Sequence, residues 1–337
     1  MREVRDSAGT IFVSPIRLRI SALYVGLLAA NVAAWAWAFA AFQSHPVLLG
    51  TALLAYSLGL RHGVDADHIA AIDNATRNLM QSGGRPVTIG LSFALGHSTV
   101  VGLASIGIAL TAGTIEARFP LMREVGGVVG TGASVLFLFA IGIANLFVLV
   151  GVLRSIRRGR SGDEAVPRSG VLSRIFQPIF RLVSRSWHMY PVGLLFGLGF
   201  DTASEIGLLG IAAAEAAKGL PIWSILVFPA LFAAGMALVD ATDNVLMLGA
   251  YGWALVDPGR KLYYNLAVTF ASVAIAIVIG GIEALALVAD KLGLSGGPWE
   301  LVAALNDQLA LMGFLSIALF AASWLAASLV YRLQVRR

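Results

Sequence analysis

Apolar positions in this chain come in long runs broken by short charged stretches. Runs can be drawn at roughly 20–42, 47–76, 87–113, 125–153, 191–217, 222–250, 262–289 and 309–331. Each is long enough to cross a hydrocarbon core of about 30 Å as an α-helix. The pattern predicts an all-α polytopic membrane protein with eight transmembrane helices, forming a single transmembrane domain over 1–337 with one sizeable loop, 153–190. The second and sixth runs are unusually polar. The second is also longer than a straight span requires and carries Gly59 and Gly63 on either side of His62.

Composition removes the alternatives. Hydrophobic residues make up 58% of the 337 and charged residues 13%, where a soluble protein carries about 25% charged, so a water-soluble globule is excluded. There is no cysteine, hence no disulfide framework, thiolate metal site or catalytic thiol. The net charge of +5 does not point to nucleic acid, because the arginines cluster at helix ends. A cytoplasmic N-terminus places 19 of the 24 Lys and Arg residues on that side, a bias that sets N-in, C-in topology. Arg77 and Arg85 are counted there, and so are the arginines from Arg154 to Arg185, which read as orientation determinants and contacts to anionic headgroups. The first run is too long for a signal-peptide core and is read as a retained helix.

Ionisable groups inside a bilayer are costly and therefore informative. They concentrate in four runs, as Arg61-His62-Gly63-Val64-Asp65-Ala66-Asp67-His68 with Asp73 and Asn74, Gly96-His97-Ser98-Thr99, Asp201-Thr202-Ala203-Ser204-Glu205, and Asp240-Ala241-Thr242-Asp243-Asn244. Four polar helices and four greasy ones suggest an inner bundle with an outer wrap. At about 100° per residue, a continuous helix puts His62, Asp65 and His68 on one arc and sends Asp67 elsewhere. If the helix unwinds near Gly63, Asp67 joins them, as in the broken helices of transporters. Arg61 is read as an internal partner for Asp65 or Asp73. It cannot neutralise two histidines and two carboxylates within seven residues, so a cation site is expected there, with His97 joining it. Asp201, Glu205, Asp240 and Asp243 are expected on the cation path, while the Phe and Trp residues are given no role. Gly63-Val64-Asp65 in the second run matches Gly199-Phe200-Asp201 in the fifth, and Phe93 to Gly96 in the third matches Phe232 to Gly235 in the sixth. An offset of three helices inverts the topology, so runs 2–4 and 5–7 are expected to form an inverted repeat.

Imidazole and carboxylate ligands without thiolate suit Ni²⁺, Co²⁺, Zn²⁺, Fe²⁺ or Mn²⁺ and argue against Mg²⁺ and Ca²⁺, which prefer oxygen cages. Between those transition metals composition does not choose. The segment from Arg61 to Ile69, however, resembles the His-x4-Asp-His signature of the NiCoT family of nickel/cobalt permeases. Leu95 to Val101, Leu198 to Ile206 and Gly235 to Asp243 resemble its three further signatures, in order and on four different helices. Departures are mild: Gly63 stands where Ala is usual, Ser204 where Thr is usual and Ala241 where Thr is frequent. The resemblance implies high-affinity uptake of Ni²⁺, and often Co²⁺, by a single polypeptide of the bacterial inner membrane, with the first signature essential. It also implies that Asn31 lies near His62 and influences metal preference.

On this reading His62, Asp65, Asp67, His68 and His97 form the metal site, with Asp65 either a ligand or the group that orients a histidine. Asn31, Asp201, Glu205, Asp240 and Asp243 line the path or support the ligands. No resident cofactor and no ATPase subunit are expected, since the chain has no P-loop. An intramembrane metalloenzyme is disfavoured by the five histidines in all and the absence of His-Glu-x-x-His.

Overall fold

The computed structural model describes residues 15–81, 83–110, 119–157, 183–199, 202–254 and 258–335. All regular structure among them is helical, as bilayer burial demands of a backbone whose every polar group must be satisfied. The helices are α1 (Pro15–Phe42), α2 (Pro46–His62), α3 (Ala66–Gln81), α4 (Ile89–Leu110), α5 (Phe119–Arg157), α6 (Met189–Phe196), α7 (Ala203–Ala217), α8 (Ile222–Ile225), α9 (Val227–Ala254), α10 (Pro258–Leu292), α11 (Pro298–Asn306) and α12 (Leu309–Val335).

Five stretches are long and apolar enough to cross a membrane unaided: α1, α4, most of α5, α8 with α9, and the second part of α10. Two bent pairs, α2 with α3 at 50° and α11 with α12 at 76°, bring the number to seven. The fifth expected span, 191–217, is not among these seven; it covers the shorter helices α6 and α7 on either side of residues outside the description. Residues 158–182, most of the Arg-rich loop, also lie outside it.

The polar helix α3 sits in the middle of the molecule. From His68 to Met80 every side chain is buried, and α3 packs against α4, α5, α9, α10 and α12. Its polar groups are satisfied by these neighbours. Asp73 accepts hydrogen bonds from Tyr251 Oη and Ser272 Oγ, each at 2.6 Å, and Asn145 donates to Asn74. Arg77, counted above as a cytoplasmic loop residue, is instead a buried part of α3 that donates to Thr269 Oγ1 at 2.6 Å. Its guanidinium is the charge acting on Asp73, while Arg61 acts on Asp65, the other partner expected for it. Aliphatic side chains of α1 and α12, among them Val25, Val32, Leu311 and Leu315, point outward.

The chain bends at His62 to Asp65 through two i to i−3 bonds, Val64 N to Arg61 O and Asp65 N to His62 O. It bends again after α6 through the same pair, Leu198 N to Leu195 O and Gly199 N to Phe196 O. Each bend follows a Tyr-x-x-Gly-Leu-x-x-Gly segment, Tyr56 to Gly63 in α2 and Tyr190 to Gly197 in α6. A Cβ on Gly59 would run into the carbonyl oxygen of Phe232, and one on Gly193 into that of Phe93. In return Gly235 abuts Tyr56 O and Leu60 N, and Gly96 abuts Tyr190 O and Leu194 N. The contacts of α2 with α9 are thus those of α6 with α4, position for position. They pair Gly63 with Gly197, two residues away from the Gly199 that motif matching selected.

Candidate metal centre

Four helix ends and middles deliver the polar side chains to one point. His62 closes α2 and His68 lies in the first turn of α3, so the bend folds one ring back over the other, with centroids 4.6 Å apart. His97, from the middle of α4, completes a triangle at 4.7 Å from His62 and 4.9 Å from His68. One nitrogen of each ring lies within 4.8 Å of the others, and all three residues are buried.

Carboxylates fix the ring orientations. Asp65 Oδ2 lies 2.8 Å from His62 Nδ1, and both oxygens of Asp240 lie 3.2–3.3 Å from His68 Nδ1. A carboxylate accepts, so each Nδ1–H is committed and the Nε2 lone pair is left for something else. His68 Nε2 has no hydrogen-bond partner among the described residues. His62 Nε2 faces His97 Nε2 at 2.9 Å. Glu205 Oε1 lies 2.9 Å from His97 Nε2 and 4.0 Å from His62 Nε2. Asp67 Oδ1 is buried without a hydrogen-bond partner among the described residues. A buried cluster of imidazoles and carboxylates is suited to a dication.

Local sequence explains how the second carboxylate-bearing helix reaches the pocket. Thr202-Ala203-Ser204-Glu205 is a capping box: Thr202 Oγ1 accepts from Glu205 N at 3.3 Å and donates to Glu205 Oε2 at 3.1 Å. This turns the other Glu205 oxygen towards His97. Arg61 donates to Ser204 Oγ at 2.9 Å, tying the bend to α7.

Of the expected site residues, His62, Asp65, His68, His97, Glu205 and Asp240 meet directly, and Asp67 precedes His68 in the first turn of α3. Asp243 is buried three residues beyond Asp240, and its Oδ2 has no partner among the described residues. Asn31 reaches the site indirectly, accepting from Tyr56 Oη at 2.9 Å and donating to Ala234 O at 3.3 Å, so it clamps α2 to α9. Asp201 lies outside the described residues. Sequence reading passed over Phe93 and Phe232, whose rings lie 4.8 Å from His68 and 5.5 Å from His62. Their signal was present in the matched Phe-Ala-x-Gly segments.

A multi-pass helical membrane protein with histidines and carboxylates converging where a central span breaks is the class that fold and cluster define. The chain belongs to the NicO family, whose model, described as high-affinity nickel-transport protein, matches residues 48–330. It is 56% identical to the high-affinity nickel transport protein of Cupriavidus necator over 94% of this chain and 93% of that one. It is 48% identical to the nickel transporter NicT of Mycobacterium tuberculosis, over 84% and 78% of the two chains. Identity to the cobalt transport protein NhlF of Rhodococcus rhodochrous is 39%, over 86% and 85%. No solved structure is significantly similar to the chain.

Proposed function

We propose that this chain is a secondary, ATP-independent carrier for high-affinity uptake of Ni²⁺, and also of Co²⁺, across the bacterial cytoplasmic membrane. It would act as a single polypeptide of eight spans with both termini cytoplasmic and spans 2–4 and 5–7 as an inverted repeat. The ion is cargo, neither altered nor retained, and no enzymatic step is assigned. His62 and His68, each through Nε2, and His97 are the primary ligands, with Asp67 and Glu205 as carboxylate partners. Asp65 and Asp240 orient the rings and raise their basicity. Asp201 and Asp243 belong to the path, and Asn31 acts through the α2–α9 clamp.

The observation that carries this reading is the pair of committed Nδ1–H groups on His62 and His68, which leaves their Nε2 lone pairs within a buried cluster that His97 completes. The nickel and cobalt names of the relatives support the choice of ion. The test is uptake of ⁶³Ni at nanomolar concentration by a nickel-uptake-deficient bacterium expressing the chain. Uptake should be saturable, be competed by Co²⁺ and disappear in His68→Ala with the protein still in the membrane. Near-normal uptake by that variant would overturn the ligand set.

A further inference from the structure

The histidine cluster is bracketed by two phenylalanines that occupy matching places in the two halves of the molecule. Phe93 begins the Phe-Ala-x-Gly segment of α4 and Phe232 that of α9. Phe93 lies edge-on to His68 at 4.8 Å and 86°, and it also packs on Phe196 at 5.2 Å. Phe232 lies against His62 at 5.5 Å. Both are fully buried.

Helix direction places the two rings at different depths along the α4–α9 contact. Gly90 of α4 abuts Asp240 O of α9, and Ile89 N donates to Asn244 Oδ1, so the two helices run antiparallel past each other. From the Gly90–Asp240 crossing, Phe93 is three residues along α4, His97 is seven along, and Phe232 is eight residues back along α9. At about 1.5 Å per residue these lie roughly 4.5, 10.5 and 12 Å from the crossing, all in the same direction. The two rings therefore stand at different depths, with His97 between those levels.

Each ring is also mounted on a backbone joint. The carbonyl of Phe232 rests on Gly59 of α2, and that of Phe93 rests on Gly193 of α6. With no side chain between the helices, a shift of α2 against α9 displaces one ring, and a shift of α6 against α4 displaces the other.

The geometry points to Phe232 and Phe93 as paired gates, one for each side of the membrane. With both shut, the histidines are dry and an ion cannot exchange imidazole for water. Opening one at a time admits water and ion from a single side. This builds on the carrier reading above, but its test needs no metal.

Because the chain has no cysteine, His97→Cys introduces a sole thiol between the gates. Right-side-out and inside-out membrane vesicles are treated with an impermeant trimethylammonium methanethiosulfonate. With both phenylalanines intact, the thiol should react slowly from either side. Adding Phe232→Ala should accelerate labelling about tenfold or more from one side only, and adding Phe93→Ala should do so from the other side only. Phe→Leu at the same positions keeps the packing and should give the same sidedness at smaller size. Equal acceleration from both sides, acceleration by both variants from one side, or no change in the Leu variants would overturn the gates. If the native chain takes up no ⁶³Ni while the labelling splits by side, the gates stand and the nickel reading falls. Uptake without that split has the opposite meaning.

Discussion

On the proposed ligand set, Asp240 supports a ligand without touching the ion. It holds the Nδ1–H of His68 with both oxygens, so Asp240→Asn should keep the shape, lose the charge and weaken apparent nickel affinity by about 10- to 100-fold. Uptake kinetics normalised to membrane protein would check this, with partial recovery expected in Asp240→Glu; lower yield at unchanged KM would make Asp240 merely structural. Asn31 works at one further remove. Tyr56→Phe removes the hydroxyl that Asn31 accepts from and leaves the metal pocket untouched. It should shift the ratio of nickel to cobalt uptake in the same direction as Asn31→Ala. A ratio unchanged in Tyr56→Phe but altered in Asn31→Ala would separate Asn31 from the clamp.

At the scale of elements, close backbone approach is what holds the site-bearing helices at their positions. Gly96 and Gly193 each abut a backbone carbonyl across the α4–α6 contact, whereas a Cβ on Gly26 or Gly50 would meet nothing within 4 Å. Gly96→Ala and Gly193→Ala should therefore destabilise by about 1–3 kcal/mol or more through overpacking. Gly50→Ala should be neutral or slightly stabilising, since alanine favours helix by roughly 0.5–1 kcal/mol. Thermal unfolding in detergent distinguishes the two classes. The N-terminus of α7 allows a milder test. Thr202→Val loses the cap to Glu205 N, worth about 1 kcal/mol, and frees Glu205 from the hydroxyl that aims it. Uptake should suffer more than stability, and Thr202→Ser should restore both.

For the whole molecule the quantity to vary is the membrane potential. A dication entering a negative interior gains about 4.6 kcal/mol per 100 mV, or roughly three decades of concentration. Collapsing the potential with valinomycin and potassium should reduce ⁶³Ni accumulation at least tenfold in cells expressing the chain. Accumulation that persists at zero potential but vanishes with the pH gradient would make proton coupling the driving force instead.

Much of this was legible along the chain, because a membrane constrains sequence locally. Apolar run lengths announced most of the spans, and the cost of charge in lipid singled out the segments around His62, His97, Glu205 and Asp240, which the fold brings together. Gly59 and Gly63 also indicated where the second span would break. Tertiary structure alone decided the roles. The charge near Asp73 is that of Arg77 rather than Arg61, because burial of α3 turned a residue counted as a loop arginine into an internal one. Asp65 and Asp240 took the Nδ1–H groups, a division of labour that depends on ring orientation and has no signature in spacing. The pairing of Gly63 with Gly197 also emerged only from helix contacts, since which backbone lies against which is settled by packing between segments distant along the chain.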